Sequence, residues 1–529
     1  MSSESLMTPV ARNQTEVFAI HGANPEVLAY AMAKYSRSAL SMRESLTEIS
    51  AQRAEQFLNT FYFQYGHRSI ADLAHVAMSI ERLSLLAAMV LVDEQRWDGQ
   101  ERSTRYQNFL KSGFYFPDFG TDSASTQLYS ETIEGLFGAY KHVNDAVFDA
   151  LRRRVACPET MKTEAYERTL KARAFDVARY LLPLATNTSL GQITNARTLE
   201  TQVSRLLSHP AAEIRDLGLK LREAATGPAW MVNAQAGAAL VEKLAASDPA
   251  LAAEAASLLT REVRTAPTLV KYAEPNEYEI QTRAELAQAA EELLRSLPHI
   301  GSPVVDLVEP TETLEVELAA TLLYSASQHS YRQIRDLVAE LPEARVIEIV
   351  ELGLRHRGKH DEALRAFHAG AALRFDILMD TGGFRDMHRH RRCTQIIQPI
   401  TARHGYETPA QGDLGPEVNV LAEAGILAEY QSAVEQAHRA SAQIAASQAA
   451  EAAQSALYLL PLATRIRSLF KMDFAEAQYI IELRSGPAGH FSYRRTSWEM
   501  FLAFQRQHPE LARHIRVTDF TKPIDLLQR

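Results

Sequence analysis

The sequence predicts an α+β protein, predominantly helical, assembled from two tandem copies of one domain with small sheets and long helices. Three observations carry this prediction. Apolar residues recur at three- and four-residue steps over long segments, strand-like runs are few and short, and the chain loosely repeats itself.

Taken in chain order, the strand candidates are "EVFAI" (16–20), "FYFPDF" (114–119) and "PVVDLVE" (303–309). The segment "STQLYSETIEGLFGAYKHVNDAVFDALRRRV" (125–155) has helical spacing. Its Ser/Thr start can cap the helix, and three closing arginines suit the negative pole. A second long segment, 418–460, is rich in alanine, the strongest helix former, and predicts one or two long helices.

The repeat has two parts. "LLPLAT" occurs at 181–186 and at 459–464, and "NPEVLAYAMAKYSRS" (24–38) resembles "TLEVELAATLLYSAS" (313–327). The offsets of 278 and 289 keep the same order in both halves, as a duplication with small insertions would. "RSLPHIGSP" (295–303) breaks a helical run, so the domains are expected at 1–300 and 301–529, packed as a pseudo-dimer.

Bulk properties exclude several classes. The chain has 529 residues and a net charge of −9, which argues against a general nucleic-acid binder. Two cysteines, Cys157 and Cys393, support neither a zinc ribbon nor a disulfide framework and fit a reducing cytoplasm. The N-terminus lacks a signal-peptide pattern, and no apolar run would span a membrane. No metal is expected; His356, His360 and His368 read as a polar helix face. Trp97, Trp230 and Trp498 read as core or interface anchors.

Against that acidic background, "FRDMHRHRRCTQ" (384–395) sets His388, Arg389, His390, Arg391 and Arg392 side by side. Such a run is either a solvated face or an anion site. In "RWDGQERSTRYQNF" (96–109), Glu101, Ser103 and Arg105 alternate, so an extended backbone would put them on one face. A hydroxyl beside a guanidinium makes a phosphate clamp. In 177–217, Arg179, Asn195, Arg197 and Arg205 interrupt a largely apolar segment, where arginines either reach solvent or meet anions.

The ordered set "GHxS", "ExSxRY", "AR..LP", "NAR" and a final arginine resembles the flavin-dependent thymidylate synthases. That family's signature is RHRxxSxNxxSxR. Arg389, His390 and Arg391 with Thr394 match its first part, and Glu101, Ser103, Arg105 and Tyr106 match its last. Each half lacks what the other keeps: Asp93, Glu94 and Gln95 replace RHR in the first, and Pro399, Ile400 and Thr401 replace SxR in the second. The resemblance implies reductive methylation of dUMP to dTMP with FAD, and NADPH and methylenetetrahydrofolate as co-substrates. It implies that Ser103, Arg105 and Arg179 bind the nucleotide phosphate, with Glu101 beside them on the substrate, and that Arg205 faces the uracil as the catalytic cation. His67, Ser69, Asn195, Arg197, Arg389, His390 and Arg391 would bind FAD, and Arg484 would correspond to Arg205. A flavin route needs no cysteine nucleophile.

The family's tetramer implies a homodimer of two-domain chains. The split signature implies one composite cleft, shared by Arg389–Arg391 and Ser103–Arg105 and lined by Arg179 and Arg205. Two rivals stand beside this: C5 modification of another uracil nucleotide, and a non-catalytic flavin- or nucleotide-binding protein on the inherited scaffold.

Overall fold

The computed structural model describes residues 18, 20, 22–34, 42, 43, 46, 68–271, 273–298, 300–358, 361–409 and 418–527. Helices dominate, as expected. The chain forms two compact units, and these are not its sequence halves. One comprises Met1–Val76, Asn195–Arg197 and Glu223–Tyr272; the other comprises Ala77–Thr194, Thr198–Arg222 and Ala273–Arg529.

In the smaller unit, the helix Pro25–Lys34 presents buried Glu26, whose carboxylate accepts the backbone N–H groups of Thr268 and Leu269 at 2.9 and 2.8 Å. Two alanine-rich helices, Ala234–Ala245 and Pro249–Leu259, pack on each other. Asp248 caps the second, accepting from Ala250 and Leu251.

The larger unit holds the second sheet and nearly all of the first. Strands β1 (His75–Ser84), β2 (Asp98–Glu101) and β3 (Asn187–Asn195) form the first, in the order β1-β3-β2. Strands β4 (Val305–Leu307), β5 (Leu373–Asp380), β6 (Thr394–Ile397) and β7 (Arg465–Met472) form an antiparallel sheet in the order β4-β5-β7-β6. One apolar core joins both halves of the sequence, drawing Tyr140 and Leu170 from the first and Phe375, Tyr430 and Phe470 from the second.

Several local expectations need correction. "PVVDLVE" supplies β4, but "FYFPDF" makes only an isolated bridge, Phe114 to Thr186. "EVFAI" lies mostly outside the described residues. The first long helix starts at Ser123, and its cap is Asp122, which accepts the Ser125 N–H, instead of the later Ser/Thr. The 418–460 segment is three helices, Val420–Glu423, Leu427–Ala445 and Ala452–Leu457. Gly425, at φ 73°, sits in the first break, where left-handed backbone favours glycine.

The repeated hexapeptides pair with each other. Leu184 N–H donates to Leu460 O and Leu462 N–H to Leu182 O, both at 2.9 Å, around an antiparallel bridge between Pro183 and Pro461. Residue i meets j and j meets i, the pattern of a two-fold interface, here within one chain. The symmetry continues outward. Leu85 N–H reaches Thr186 O, and Thr381 N–H reaches Thr464 O, both at 2.9 Å. These bonds start two equivalent short helices, Leu85–Leu91 and Thr381–Met387.

The two caps of those helices are chemical mirror images. Ser84 caps the first and donates its hydroxyl to Glu213 at 2.6 Å. Asp380 caps the second and accepts the hydroxyl of Ser492. Carboxylate and hydroxyl have exchanged places between the copies. A Cβ at Gly383 would strike Ser492 Oγ, so this cap requires glycine there.

Candidate functional site

The second copy of the short helix ends in the basic run, and the run lies against β2 of the first half. Strand β2 pairs with β3, Glu101 opposite Leu190, and Gly99 allows the close approach: a Cβ there would run into Gly191 O and the Trp97 ring. The strand then stops. Arg102 donates to Gln107 at 2.7 Å and Ser112 at 2.8 Å and lies over the Phe109 ring at 4.2 Å, which folds the following residues into a turn. The extended Glu101-Ser103-Arg105 ladder expected from alternation is therefore absent: only Glu101 is in the strand.

These residues nevertheless meet the second half. Glu101 accepts from Arg385 and lies 3.6 Å from Arg389. Arg391 donates to Asp98 at 2.8 Å, with its guanidinium 5.5 Å from the Trp97 ring centre. Arg105 is buried. It grips Asp176 through Nε at 2.8 Å and Nη2 at 3.2 Å, and donates to the Tyr493 hydroxyl at 2.8 Å and Ala488 O at 3.2 Å. Burial alone would lower the Arg105 pKa, but the Asp176 carboxylate raises it further, so this guanidinium stays charged. Ser103 Oγ accepts the Arg105 N–H at 3.2 Å and so shapes the turn.

Arg179 follows the helix Thr163–Ala178 and is 2% exposed. Its Nη1 reaches Thr104 Oγ1 and Asp386 Oδ2, each at 3.4 Å, while Nε and Nη2 have no partner among the described residues. Burial tends to raise the Asp386 pKa, yet Arg179, Arg105, Arg389 and Arg484 together hold it below the ordinary carboxylate value. Arg484 lies 5.4 Å from the Tyr493 ring centre and donates through Nε to His390 Nε2 at 2.7 Å. His390 therefore accepts there and is neutral, as burial also dictates, with Glu476 3.7 Å from Nδ1. It braces Arg484 and is itself buried.

At the equivalent place in the first half stand Asp93, Glu94 and Gln95. Glu94 accepts from Arg205 at 2.9 and 2.7 Å. Asp93 pairs with Arg365 and lies 3.4 Å from His388. Arg205 is thus tied to a carboxylate, and no described contact joins it to Arg105 or Arg179. Asn195 and Arg197 belong to the smaller unit, where Arg197 lies 3.4 Å from Asp72. His67 and the side chain of Ser69 lie outside the described residues. Thr401, where the second half has lost SxR, donates to Gln328 at 2.7 Å.

Sequence reasoning missed Asp176, Asp386, Arg385, Asp98 and Tyr493. Asp176 meets Arg105 from 71 positions away, so no local pattern marks it. Asp386 sits inside the basic run and is the position at which its positive charge is interrupted. Nothing local marks Tyr493. Cys393 is buried, with its thiol pushed up to about 12, and Cys157 is exposed. Trp97 is buried and donates to Gln192 at 2.7 Å, Trp498 packs on the core, and Trp230 is 85% exposed. His356 pairs with Glu285 at 2.7 Å, and His360 is outside the described residues. No helix among the described residues is long and apolar enough to cross a membrane.

Comparison with known proteins gives long matches. A UPF0159 protein of Chlamydia muridarum is 26% identical over an alignment of 555 residues, covering 98% of this chain and 95% of the relative. A UPF0159 protein of Thermoplasma acidophilum is 24% identical over 524 residues, covering 92% and 94%. A flavin-dependent thymidylate synthase of Clostridium tetani is 26% identical over 177 residues, covering 33% of this chain and 67% of that protein. Among solved structures, a flavin-dependent thymidylate synthase of Helicobacter pylori, complexed with FAD and dUMP, matches 38% of this chain and 89% of its own at 17% identity and a TM-score of 0.26. The family model for thymidylate synthase complementing protein matches twice, at residues 19–227 and 306–510. The chain belongs to that family and carries its domain in two tandem, divergent copies.

Proposed function

We propose that this chain is a flavin-dependent thymidylate synthase-type enzyme with one composite cleft, to which copies at 1–300 and 301–529 each contribute part. The observation that carries this is the bridging of Glu101, from the first copy, by Arg385 and Arg389 of the second. Six guanidiniums (Arg105, Arg179, Arg385, Arg389, Arg391 and Arg484) face four carboxylates (Asp98, Glu101, Asp176 and Asp386). The surplus is positive and suits a phosphate-bearing ligand. On this reading the substrate is dUMP, held by Arg105 and Arg179 with Glu101 and Ser103 beside them.

The donor set fits a diphosphate cofactor. The side chains of Arg389 and Arg391 are 35% and 27% exposed and can reach phosphate oxygens, whereas buried His390 holds Arg484 from behind. FAD, reduced by NADPH, would supply the hydride, and methylenetetrahydrofolate the one-carbon unit. The protein's part is to fix cations where negative charge develops on the pyrimidine. Arg484 serves that role better than Arg205, because Arg205 is neutralised by Glu94. The scarcity of cysteine supports a cytoplasmic setting, and two such chains would present four family domains.

The test is rescue of a thymidine auxotroph together with the flavin spectrum of the purified protein. Rescue with bound flavin is expected; a colourless protein that does not rescue overturns the proposal. One observation favours a non-catalytic binding protein instead: Arg105 and Arg205 are each already paired with a carboxylate of the chain. Flavin or dUMP binding without turnover would establish that second reading.

A further inference from the structure

We infer that Asp386 sets how much negative charge the cleft accepts, as a resident anion with which an incoming phosphate must compete. The inference rests on reading the cleft as a nucleotide site. Asp386 interrupts the basic run between Arg385 and Arg389. Its side chain is 22% exposed, so solvent and solutes reach it, while Arg179 beneath it is buried. Their contact of 3.4 Å is longer than the roughly 2.7–2.9 Å of a settled charge-assisted bond. Arg179 also leaves Nε and Nη2 without partners among the described residues. A buried guanidinium with unused donors, beside a loosely held carboxylate, has capacity for another acceptor.

The other carboxylates are poorer candidates for this role. Asp176 is 1% exposed and gripped by Arg105 at two atoms. Glu101 is 5% exposed and bridged by two arginines. Asp98 is 85% exposed, at the rim. Only Asp386 is both reachable and within the influence of four guanidiniums, those of Arg179, Arg105, Arg389 and Arg484. A phosphate entering there gains the arginines but meets like charge. A neutral nucleoside meets neither effect. The cleft should therefore gain less from a phosphate than its arginines alone would give.

The test is calorimetric titration of the full chain with orthophosphate, deoxyuridine and dUMP. Asp386→Asn should bind orthophosphate and dUMP about tenfold more tightly than the parent, with deoxyuridine unchanged. Asp386→Glu, which keeps the charge, should match the parent. If Asp386→Asn does not fold, Asp386→Ser is the second neutral variant. The preference for dUMP over deoxyuridine should be smaller in the parent than in Asp386→Asn, and an equal preference in the two overturns the inference. Unchanged phosphate affinity in folded neutral variants overturns it while leaving dUMP binding, and the nucleotide reading, intact. Tighter phosphate without any dUMP binding supports the role of Asp386 and removes the nucleotide reading. No binding of any probe by parent or variants overturns both.

Discussion

Glu94 and His390 stand at equivalent places in the two copies, and each receives an arginine. Arg205 donates to Glu94 at 2.9 and 2.7 Å, and Arg484 donates to His390 at 2.7 Å. The geometry is shared but the electrostatics are not. A carboxylate cancels its arginine; a neutral imidazole accepts the hydrogen bond and leaves the charge in place. The first copy has thus closed its cationic place with Asp93 and Glu94, while the second keeps a positive field beside Tyr493 and Asp386.

The largest effect expected from this asymmetry is on flavin. Arg389→Ala with Arg391→Ala should remove contacts worth about 1.5–3 kcal/mol each, and flavin should be lost on gel filtration. The matching change in the first copy, Asp93→Ala with Glu94→Ala, should leave the retained flavin in place if the protein folds. Flavin retention that is indifferent to the first pair and sensitive to the second would invert the comparison.

Arg105→Ala tests the nucleotide side. It leaves Asp176 buried without its guanidinium, a loss of about 3–5 kcal/mol in denaturant unfolding. Thr401→Ala, at the place where the second copy lacks the motif, removes one hydrogen bond to Gln328 and should cost about 1 kcal/mol. In calorimetric titration Arg105→Ala should also weaken dUMP binding strongly and Thr401→Ala should change it little; equal losses of dUMP affinity would mean that the copies contribute alike.

The exchanged caps give a third measurement. Ser84→Asp alone sets a second carboxylate against Glu213 and should destabilise the helix it caps. Adding Glu213→Ser recreates the arrangement of Asp380 and Ser492. A double-mutant cycle should show a coupling of about 1–3 kcal/mol. Additive effects would show that the two caps are not interchangeable solutions.

His490 provides a pH comparison, since the first copy has Ala211 at its place. His490 is buried, donates from Nε2 to Asp176 O at 2.8 Å, and accepts the Ser492 N–H at Nδ1 at 3.2 Å. Burial, and next Arg179, hold its pKa well below the ordinary value. Below about pH 6.5 the unfolded chain takes up a proton that the folded chain refuses, so stability falls with pH by up to about 1.4 kcal/mol per unit. His490→Asn keeps a capping side chain and should flatten that slope between pH 7 and 5. A slope equal to the parent's would remove His490 as its source.

The smallest effect concerns sulfur. Cys157→Ser with Cys393→Ser should leave turnover within about tenfold of the parent, or about 1.4 kcal/mol in the barrier. Cys393 is buried with its thiol held protonated, and Cys157 is exposed in a loop. Loss of turnover with flavin retained would point to a thiolate.

The helical spacing of 125–155 and 418–460, the doubled "LLPLAT" and the split signature were legible because each is a local pattern with a local cause. Arginine clusters announced a charged site for the same reason. Their partners were not legible. Asp176, Asp386 and Tyr493 matter only through residues up to 388 positions away in sequence, as in the bond from Arg105 to Tyr493. Periodicity assigned Glu101, Ser103 and Arg105 to one strand face, but side-chain bonds of Arg102 turned the chain after Glu101. By itself the sequence determined the helical character, the duplication and the positions of the basic groups, since propensity and spacing act over a few residues. Only the tertiary structure decided which partner each cation meets. Burial sets the strength of every charge pair, and burial depends on where the other copy packs.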